Sequence, residues 1–192
     1  MNDQMATTAK FRIKPVSHSI DVPESAAYDP IRRALAAIDA AHDDGRLPRT
    51  TIKLMQKNDV HGEYEPSLNR ILIGLGHGPL DTMLHEVGHL LDLHAFGHGQ
   101  MYESKNVAGR LTRVVSKAMA SRAADEWRAI PTADIRDYIL DPPEIWARAY
   151  AQWVVSRTSR NATFIEAGHW TAKDFEPITT EIDRAFSLEG WL

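Results

Sequence analysis

H-E-V-G-H-L-L-D, residues 85–92, is the stretch that decides how this chain folds and what chemistry it can carry out. On a helix each residue advances by about 100°, so His85 and His89 lie one turn apart on the same face. Two imidazoles placed in this way can bind one metal ion at about 2.0–2.1 Å. Glu86 flanks that face, where a general base for an attacking water molecule is needed. The stretch therefore predicts a zinc site for hydrolysis, and a helix with merely polar histidines is the alternative.

Two further residues of the same stretch favour the metal site. Glycine inside a helix costs about 1 kcal/mol relative to alanine, so Gly88 predicts that another backbone approaches the helix closely at this point. Asp92 lies seven residues after His85 and returns to the same face. Its carboxylate could accept a hydrogen bond from a ligand imidazole and fix the tautomer of that ring. We therefore expect Asp92 to orient a ligand without binding the ion.

A catalytic zinc ion usually has three protein ligands and one open position, so the sequence must supply a third ligand. The spacing H-E-x-x-H-x-x-G-x-x-H is excluded, because residue 95 is alanine. Glu144 is the better candidate, since it begins the helical segment E-I-W-A-R-A-Y-A-Q-W and shares a stripe with Ala147 and Ala151. A stripe of small residues would let this helix pack against Gly88 and bring the carboxylate to the ion.

Capping of its own helix is the alternative role for Glu144. In D-P-P-E, Asp141 would be the N-cap and Pro142 the first helical residue, and a glutamate two residues later completes a capping box without any metal. His94 and His98 are interpreted as solvated histidines near a helix end. The remaining rivals for the third ligand position are Asp137, Glu126, Glu166 and His169.

Tyr138 is a candidate for stabilising a transition state. It lies six residues before Glu144, and a tyrosine hydroxyl beside the ion can donate a hydrogen bond to the oxyanion of a tetrahedral intermediate. The alternative, given equal weight, is a partly buried aromatic residue with a structural role.

The two blocks together resemble the gluzincin metallopeptidases, in particular the branch that includes the catalytic domain of anthrax lethal factor and related phage- and toxin-associated peptidases. The first block fits the pattern H-E-x-G-H-x-x-D, and E-I-W-A-R-A-Y begins 55 residues after His89, like the glutamate-led helix of the family. Tyr138 lies roughly where the family has its tyrosine. The match covers roughly residues 50–155, and in the second block it rests on Glu144, Ala147, Ala149 and Tyr150.

The resemblance implies one zinc ion held by His85, His89 and Glu144. It also implies that Glu86 acts as the general base and that Tyr138 stabilises the transition state. The fold it implies is zincin-like, in which an edge strand beside the HExxH helix pairs with an extended substrate. The strand that precedes the helix in this sequence would then bind substrate through Leu72, Ile73 and Gly74.

The order of the predicted elements gives an α+β fold. T-T-I-K-L-M and R-I-L-I-G-L predict short strands at residues 50–55 and 70–75, and alternation over Phe11–Val16 gives a weaker strand signal. A helix is expected to begin at Pro30, and residues 132–143 are expected to form a connector. Combined with the resemblance, this order predicts a small mixed sheet, an edge strand before the HExxH helix and a mostly helical C-terminal half.

The chain is expected to form one domain. Its 192 residues fit one domain better than two, with residues 1–20 as a flexible N-terminal segment and residues 21–192 as a single zincin-like metallopeptidase domain. Hydrophobic residues make up 43% and charged residues 25%, which is typical of a globular protein. The absence of cysteine means that any metal must be held by histidine and carboxylate groups.

The charge and hydrophobicity of the sequence limit the partners and the location that we expect. A net charge of −4 does not favour binding to nucleic acid. No secretory signal is recognised at the start of the sequence, and no apolar run approaches the ~20 residues that span a bilayer. We therefore expect a cytoplasmic location by default and no membrane partner, with export by a route that needs no signal peptide as the alternative. The oligomeric state is left open.

The function expected from these observations is a zinc-dependent endopeptidase that hydrolyses protein or peptide substrates with an activated water. The alternative is a non-catalytic structural or regulatory protein, for example phage- or toxin-associated, that retains the fold. The intact glutamate at position 86 argues against that alternative. A third and weaker interpretation, an antitoxin peptidase linked to transcription, requires a basic DNA-binding module that the sequence lacks.

Overall fold

The computed structural model describes residues 13–16, 24–42, 48, 50–55, 61–74, 78–158 and 169–191. The described strands, β1 to β4 in chain order, are Ile13–Val16, Thr50–Met55, Gly62–Glu65 and Arg70–Gly74. The described α-helices, α1 to α7, are Glu24–His42, Pro79–Leu90, Thr112–Met119, Arg122–Arg128, Ala133–Ile139, Pro142–Thr158 and Ala172–Glu189. The fold is therefore mixed α+β, with a helical C-terminal half, as predicted.

The strands form one mixed sheet in the order β1-β2-β4-β3. Strands β1, β2 and β4 are parallel, whereas β3 pairs antiparallel with β4. A short 3₁₀ turn, Pro66–Leu68, connects β3 to β4, and Asn69 completes it in the left-handed region with φ 44°. Because the connection is short, β3 can only return beside β4 and becomes an outer strand of the described sheet.

This order corrects the predicted position of the edge strand. The strand immediately before the HExxH helix, β4, lies between β2 and β3 and is paired on both sides. The three residues expected to bind substrate are therefore buried inside the sheet, and the prediction was wrong for Leu72, Ile73 and Gly74. The sequence R-I-L-I-G fits an interior strand, because a nearly continuous apolar run suits burial on both faces. The outer strand beside α2 is β3, which the sequence did not predict as a strand.

Three other boundaries differ from the predictions. Helix α1 begins at Glu24 and contains Pro30 in its interior. The expected connector at residues 132–143 includes α5, a short helix that buries none of its own residues. Four residues of the N-terminal segment expected to be flexible form β1, and the rest of residues 1–20 lie outside the described residues.

Helix α2 packs against α6 more extensively than any other described pair of elements. A Cβ atom at Gly88 would lie only 2.7 Å from the Cα atom of Ala147, so the two backbones can approach this closely only with glycine at that position. The Trp146 indole N–H donates to the Gly88 carbonyl at 2.8 Å and fixes the register of the two helices. The close approach that Gly88 predicted is confirmed, and Ala147 is its partner.

The buried apolar residues of the described chain form one cluster that joins the sheet to α1, α2, α6 and α7. Its largest members are the aromatic side chains of α6 and α7, with Trp146, Tyr150, Trp153 and Phe186 each fully buried. Through this cluster, α6 packs against α2, α1 and α7. Among the described residues, no helix combines the length and apolar character needed to cross a membrane.

Candidate metal centre

Three side chains from two distant parts of the chain converge where α2 meets the start of α6. The Nε2 atoms of His85 and His89 lie 3.1 Å apart. The Glu144 carboxylate lies 3.4 Å from the first Nε2 atom and 3.2 Å from the second. These residues form the one described group of at least three histidine, cysteine or acidic side chains arranged to hold a metal ion. The predicted convergence of residues 85–89 with Glu144 is therefore present in the structure.

The spacing of these atoms fits a tetrahedral ion. With metal–ligand distances of about 2.0–2.1 Å, tetrahedral geometry separates neighbouring ligand atoms by about 3.3–3.4 Å, close to the observed 3.1, 3.2 and 3.4 Å. Two imidazoles and one carboxylate are also a ligand set that catalytic zinc uses. The residues present therefore fit the zinc ion that the sequence predicted.

Charges in the centre are strongly coupled. Burial raises the pKa of Glu144, but hydrogen bonds from His85 and His89 lower it more, so the carboxyl has a pKa below its ordinary value. Burial lowers the pKa of His85, with partial compensation from the carboxylate. At His89 burial also lowers the pKa, but the hydrogen bond with Glu144 and the neighbouring carboxylates outweigh it, so the pKa of that ring is raised. The combination favours an ionised Glu144 beside a neutral His85 and a His89 that holds its proton more readily, and a bound ion would displace that proton.

Glu86 lies beside the centre without belonging to the ligand group. Its side chain is buried, and the backbone of Tyr64 in β3 hydrogen-bonds to the carboxylate. Burial is the main cause that raises the pKa of Glu86 to about 7. A carboxylate with a pKa near neutrality can accept and return a proton at ordinary pH, as expected of a general base.

A cleft of about 470 Å³ opens at this side of the centre. His85 and Glu86 line it, and so does Tyr138 at the end of α5. The opposite walls are the N-terminal end of β3 and one face of α6, and the lining residues contributed there include His61, Gly62, Arg148, Ala151 and Val155. Glu86, His85 and the N-terminal end of the outer strand therefore share one concave surface.

Tyr138 lies close to the centre while remaining 57% exposed. Burial of its polar end and the neighbouring Glu144 carboxylate raise the pKa of the tyrosine to about 12. The hydroxyl therefore stays protonated and can donate a hydrogen bond into the cleft. This location agrees with the predicted role, and the role itself stays a prediction.

Asp92 does not have the role that the sequence predicted. Its carboxylate accepts hydrogen bonds from the Ser104 N–H at 2.8 Å and the Ser104 hydroxyl at 2.5 Å. The Nδ1 atom of His89 is buried without a hydrogen-bond partner. Both carboxylate oxygens of Asp92 are used by Ser104, which lies in the loop after the π-helical turn Leu91–Phe96. Asp92 instead anchors the following loop, whose Tyr102 ring lies edge-on to His89 at 6.1 Å.

The other candidates for the third ligand position lie in different parts of the structure. Asp137 and Glu126 are exposed and pair with arginines on their own helices. Glu166 lies outside the described residues. His169 lines the cleft, and burial is the main cause that lowers its pKa to about 4. Of these residues, His169 alone is described at the cleft.

Sequence reasoning missed the guanidinium of Arg148. It lies at the edge of the centre, where it donates a hydrogen bond to Glu144 at 3.1 Å. The available signal was its position four residues after Glu144, on the same helical face. It also missed His61 and Gly62, because no turn signal in that segment distinguishes a short outer strand.

Comparisons of the chain with protein-family models, with curated proteins and with solved structures found no match. They therefore neither support nor contradict the resemblance to gluzincins.

Proposed function

We propose that this protein is a zinc-dependent endopeptidase of the gluzincin type with a zincin-like fold. The observation that carries the proposal is the convergence of two Nε2 atoms and one carboxylate within 3.1–3.4 Å, beside a buried glutamate that opens into a cleft. A metal site alone would fit many functions. The adjacent base and the concave surface are what favour hydrolysis.

His85, His89 and Glu144 would hold the ion. When bound, zinc supplies Lewis-acid polarisation of the scissile carbonyl and lowers the pKa of water towards 7. The chain's own contribution is to fix three ligands and leave one side open to the cleft. Close packing of α2 on α6 supplies that rigidity.

Glu86 would move the proton. Its pKa of about 7 lets the carboxylate accept a proton from the attacking water and pass it to the leaving amine. The hydrogen bond that this carboxylate accepts from the Tyr64 backbone in β3 holds it at the cleft wall. Replacement by glutamine would keep the shape and remove the base.

Tyr138 would donate its hydroxyl hydrogen to the developing oxyanion. The raised pKa keeps that hydrogen in place at neutral pH. Such a donor typically contributes a factor of about 10²–10³ to turnover.

The substrate would bind as an extended strand along β3, in place of the β4 position implied by the resemblance. Strand β3 is antiparallel to β4 and lies at the outside of the described sheet. Its N-terminal residue Gly62 reaches the same cleft as Glu86. Main-chain pairing there would bind peptides with little dependence on side chains.

The decisive experiment measures zinc content and peptide cleavage together in three chains. Wild type should bind one equivalent of zinc and cleave a dye-labelled unfolded protein. Glu86→Gln should keep one equivalent of zinc and lose at least about 10²-fold in cleavage rate. Glu144→Ala should lose most of its zinc affinity, because it removes one of three ligands.

Glu126→Ala is the matched control, since this glutamate is exposed on α4 and away from the cleft. It should leave both zinc and cleavage unchanged. Full zinc content in Glu144→Ala would remove Glu144 from the site. Undiminished cleavage by Glu86→Gln would contradict the mechanism. Wild type that binds zinc but cleaves no member of a broad peptide library would favour the non-catalytic alternative.

A further inference from the structure

Arg148 connects the proposed metal ligand to the segment that carries Tyr138. It lies one turn after Glu144 on α6, and its side chain is only 11% exposed. One guanidinium nitrogen, Nη2, donates to the Glu144 Oε2 atom at 3.1 Å. The other, Nη1, donates to the carbonyl of Ile139 at 2.9 Å. A single planar group thus spans the centre and the C-terminal end of α5.

The same guanidinium also contacts two aromatic rings. Its Cζ atom lies 5.7 Å from the centre of the Tyr138 ring and 6.0 Å from that of Trp127. These distances fall within the range of cation–π attraction. Because α5 buries none of its own residues, the contacts from Arg148 provide a fixed point for a helix that otherwise packs weakly.

We propose that Arg148 is a positioning residue that orients the Glu144 carboxylate for metal binding and holds the Tyr138 hydroxyl at the cleft. The inference rests on the proposed function. Because the guanidinium donates a hydrogen bond to Glu144 Oε2, the carboxylate cannot rotate freely between the two histidines. It simultaneously fixes the carbonyl one residue after Tyr138, so the ligand and the oxyanion donor are set by one group.

Lysine cannot reproduce this arrangement. Its single ammonium group lacks the planar fork that donates in two directions and stacks on rings. Arg148→Lys keeps the charge beside Glu144 but should lose the contact that fixes α5. The pair Arg148→Met and Arg148→Lys therefore separates charge from geometry.

The first measurement is the zinc affinity of the chain, obtained by competition with a chromogenic chelator. Groups that orient a metal ligand typically contribute a factor of about 10–100 in affinity. We expect Arg148→Met to bind zinc about 10–100-fold more weakly than wild type, and Arg148→Lys to lose less. The absorption spectrum of the cobalt-substituted chain should also change, since the carboxylate is reoriented.

Arg157→Met is the matched control. Arg157 lies on the same helix, stacks on Trp153 at 4.9 Å and pairs with Asp183 at 2.7 Å, but far from the centre along α6. Because its side chain is 37% exposed, Arg157→Met should lower thermal stability no more than Arg148→Met does, and it should leave zinc affinity unchanged. Circular dichroism of both variants shows whether each is folded, and Arg148→Lys carries the test if Arg148→Met is not.

The second measurement is the coupling between Arg148 and Tyr138 in turnover. Both Arg148→Met and Tyr138→Phe should lower kcat more than they change KM. In the Tyr138→Phe background, Arg148→Met should lower kcat at least about 5-fold less than it does in wild type, because the shared contribution is already lost. Measurements at saturating zinc keep metal loss out of this comparison.

The outcomes distinguish the two proposals. If wild type binds no zinc, the proposed function fails and the positioning role fails with it. If wild type binds zinc and cleaves peptides, unchanged zinc affinity in both Arg148 variants overturns the positioning role alone. The positioning role is also overturned if Arg148→Met lowers kcat by the same factor in wild type and in the Tyr138→Phe chain.

Discussion

Helix α6 contacts two clusters of side chains that contain histidines from other helices, and the clusters differ in what the imidazole nitrogens contact. On one face, His42 from α1 is fully paired: its ring nitrogens lie 3.1 Å from the Tyr150 hydroxyl and 3.2 Å from the Trp191 carbonyl. On the other face, His85 and His89 turn their Nε2 atoms towards each other and towards Glu144.

The difference separates a histidine whose two ring nitrogens both have partners within the protein from the histidines of the candidate metal centre. A buried imidazole in a core needs partners for both nitrogens, and His42 has them. In the second cluster the two Nε2 atoms lie 3.1 Å apart and both face the Glu144 carboxylate, so they converge on one point. In the absence of an ion, this arrangement should stabilise the fold less than the paired nitrogens of His42 do. The predictions below test whether stability and metal binding separate in this way.

Gly88→Ala is expected to lower stability and zinc affinity together, because Gly88 lies where α2 meets α6, next to His85 and His89. Alanine favours a helix by about 1 kcal/mol, but its Cβ atom would lie 2.7 Å from the Ala147 Cα atom. Backbone atoms cannot yield as a flexible side chain does, so the helices must separate. We expect a loss of about 3 kcal/mol in the free energy of unfolding and at least about 10-fold weaker zinc binding.

Urea unfolding and chelator competition measure the two quantities for Gly88→Ala. Gly190→Ala is the control, because Gly190 has φ 69° at the end of α7 with no atom near its Cβ position. That control should destabilise the chain by about 1 kcal/mol and leave zinc affinity unchanged. A more stable Gly88→Ala chain with normal zinc affinity would show that the helices do not need this contact.

His42→Ala and His89→Ala should have opposite profiles. Removing His42 takes away a residue that is 1% exposed, with two hydrogen bonds and several ring contacts, and should lower the free energy of unfolding by about 3 kcal/mol. Zinc affinity should not change. His89→Ala should lower zinc affinity at least about 100-fold and destabilise the metal-free chain by less than His42→Ala does. Equal losses of stability and zinc affinity in the two variants would erase the distinction between the clusters.

The pH dependence of stability should carry the signature of His42. Burial is the main cause that lowers its pKa from 6.5 to about 4 in the folded chain. The unfolded chain therefore binds the proton more readily, and stability falls as the pH drops from about 6.5 towards 4. The full effect is about 3 kcal/mol. In metal-free buffer with chelator, His42→Phe should show a shallower loss of stability across this range than wild type. Parallel curves for the two chains would mean that His42 titrates normally when folded.

The local pattern of the sequence was sufficient to predict that His85, His89 and Glu144 lie together, but not to predict what surrounds them. HExxH spacing and the stripe after Glu144 are helical arguments, and each needs only a few neighbouring residues. Gly88 even predicted the close contact with α6. These features could be read because α-helical periodicity fixes which side chains share a face.

The errors concern features that tertiary structure decides. Strand β3 has four residues, too few for periodicity to distinguish it from a turn, so the outer strand was assigned to β4. Asp92 was assigned to a ligand imidazole by helical spacing, whereas its carboxylate bonds to Ser104, twelve residues later in the chain. Arg148 acquires its contacts only because α5 folds back beside α6, which no local pattern in residues 132–143 indicates.

The smallest effect is expected from Tyr150→Phe, which removes one atom from the structural cluster. Tyr150 is fully buried, and its hydroxyl is the partner of the His42 Nε2 atom at 3.1 Å. The ring contacts of phenylalanine would be the same, so the change isolates one buried hydrogen bond, worth about 1 kcal/mol. Urea unfolding should detect that loss, while zinc affinity and cleavage stay at wild-type values. A fall in zinc affinity in Tyr150→Phe would mean that the two faces of α6 are coupled, and the separation of the clusters would then be incorrect.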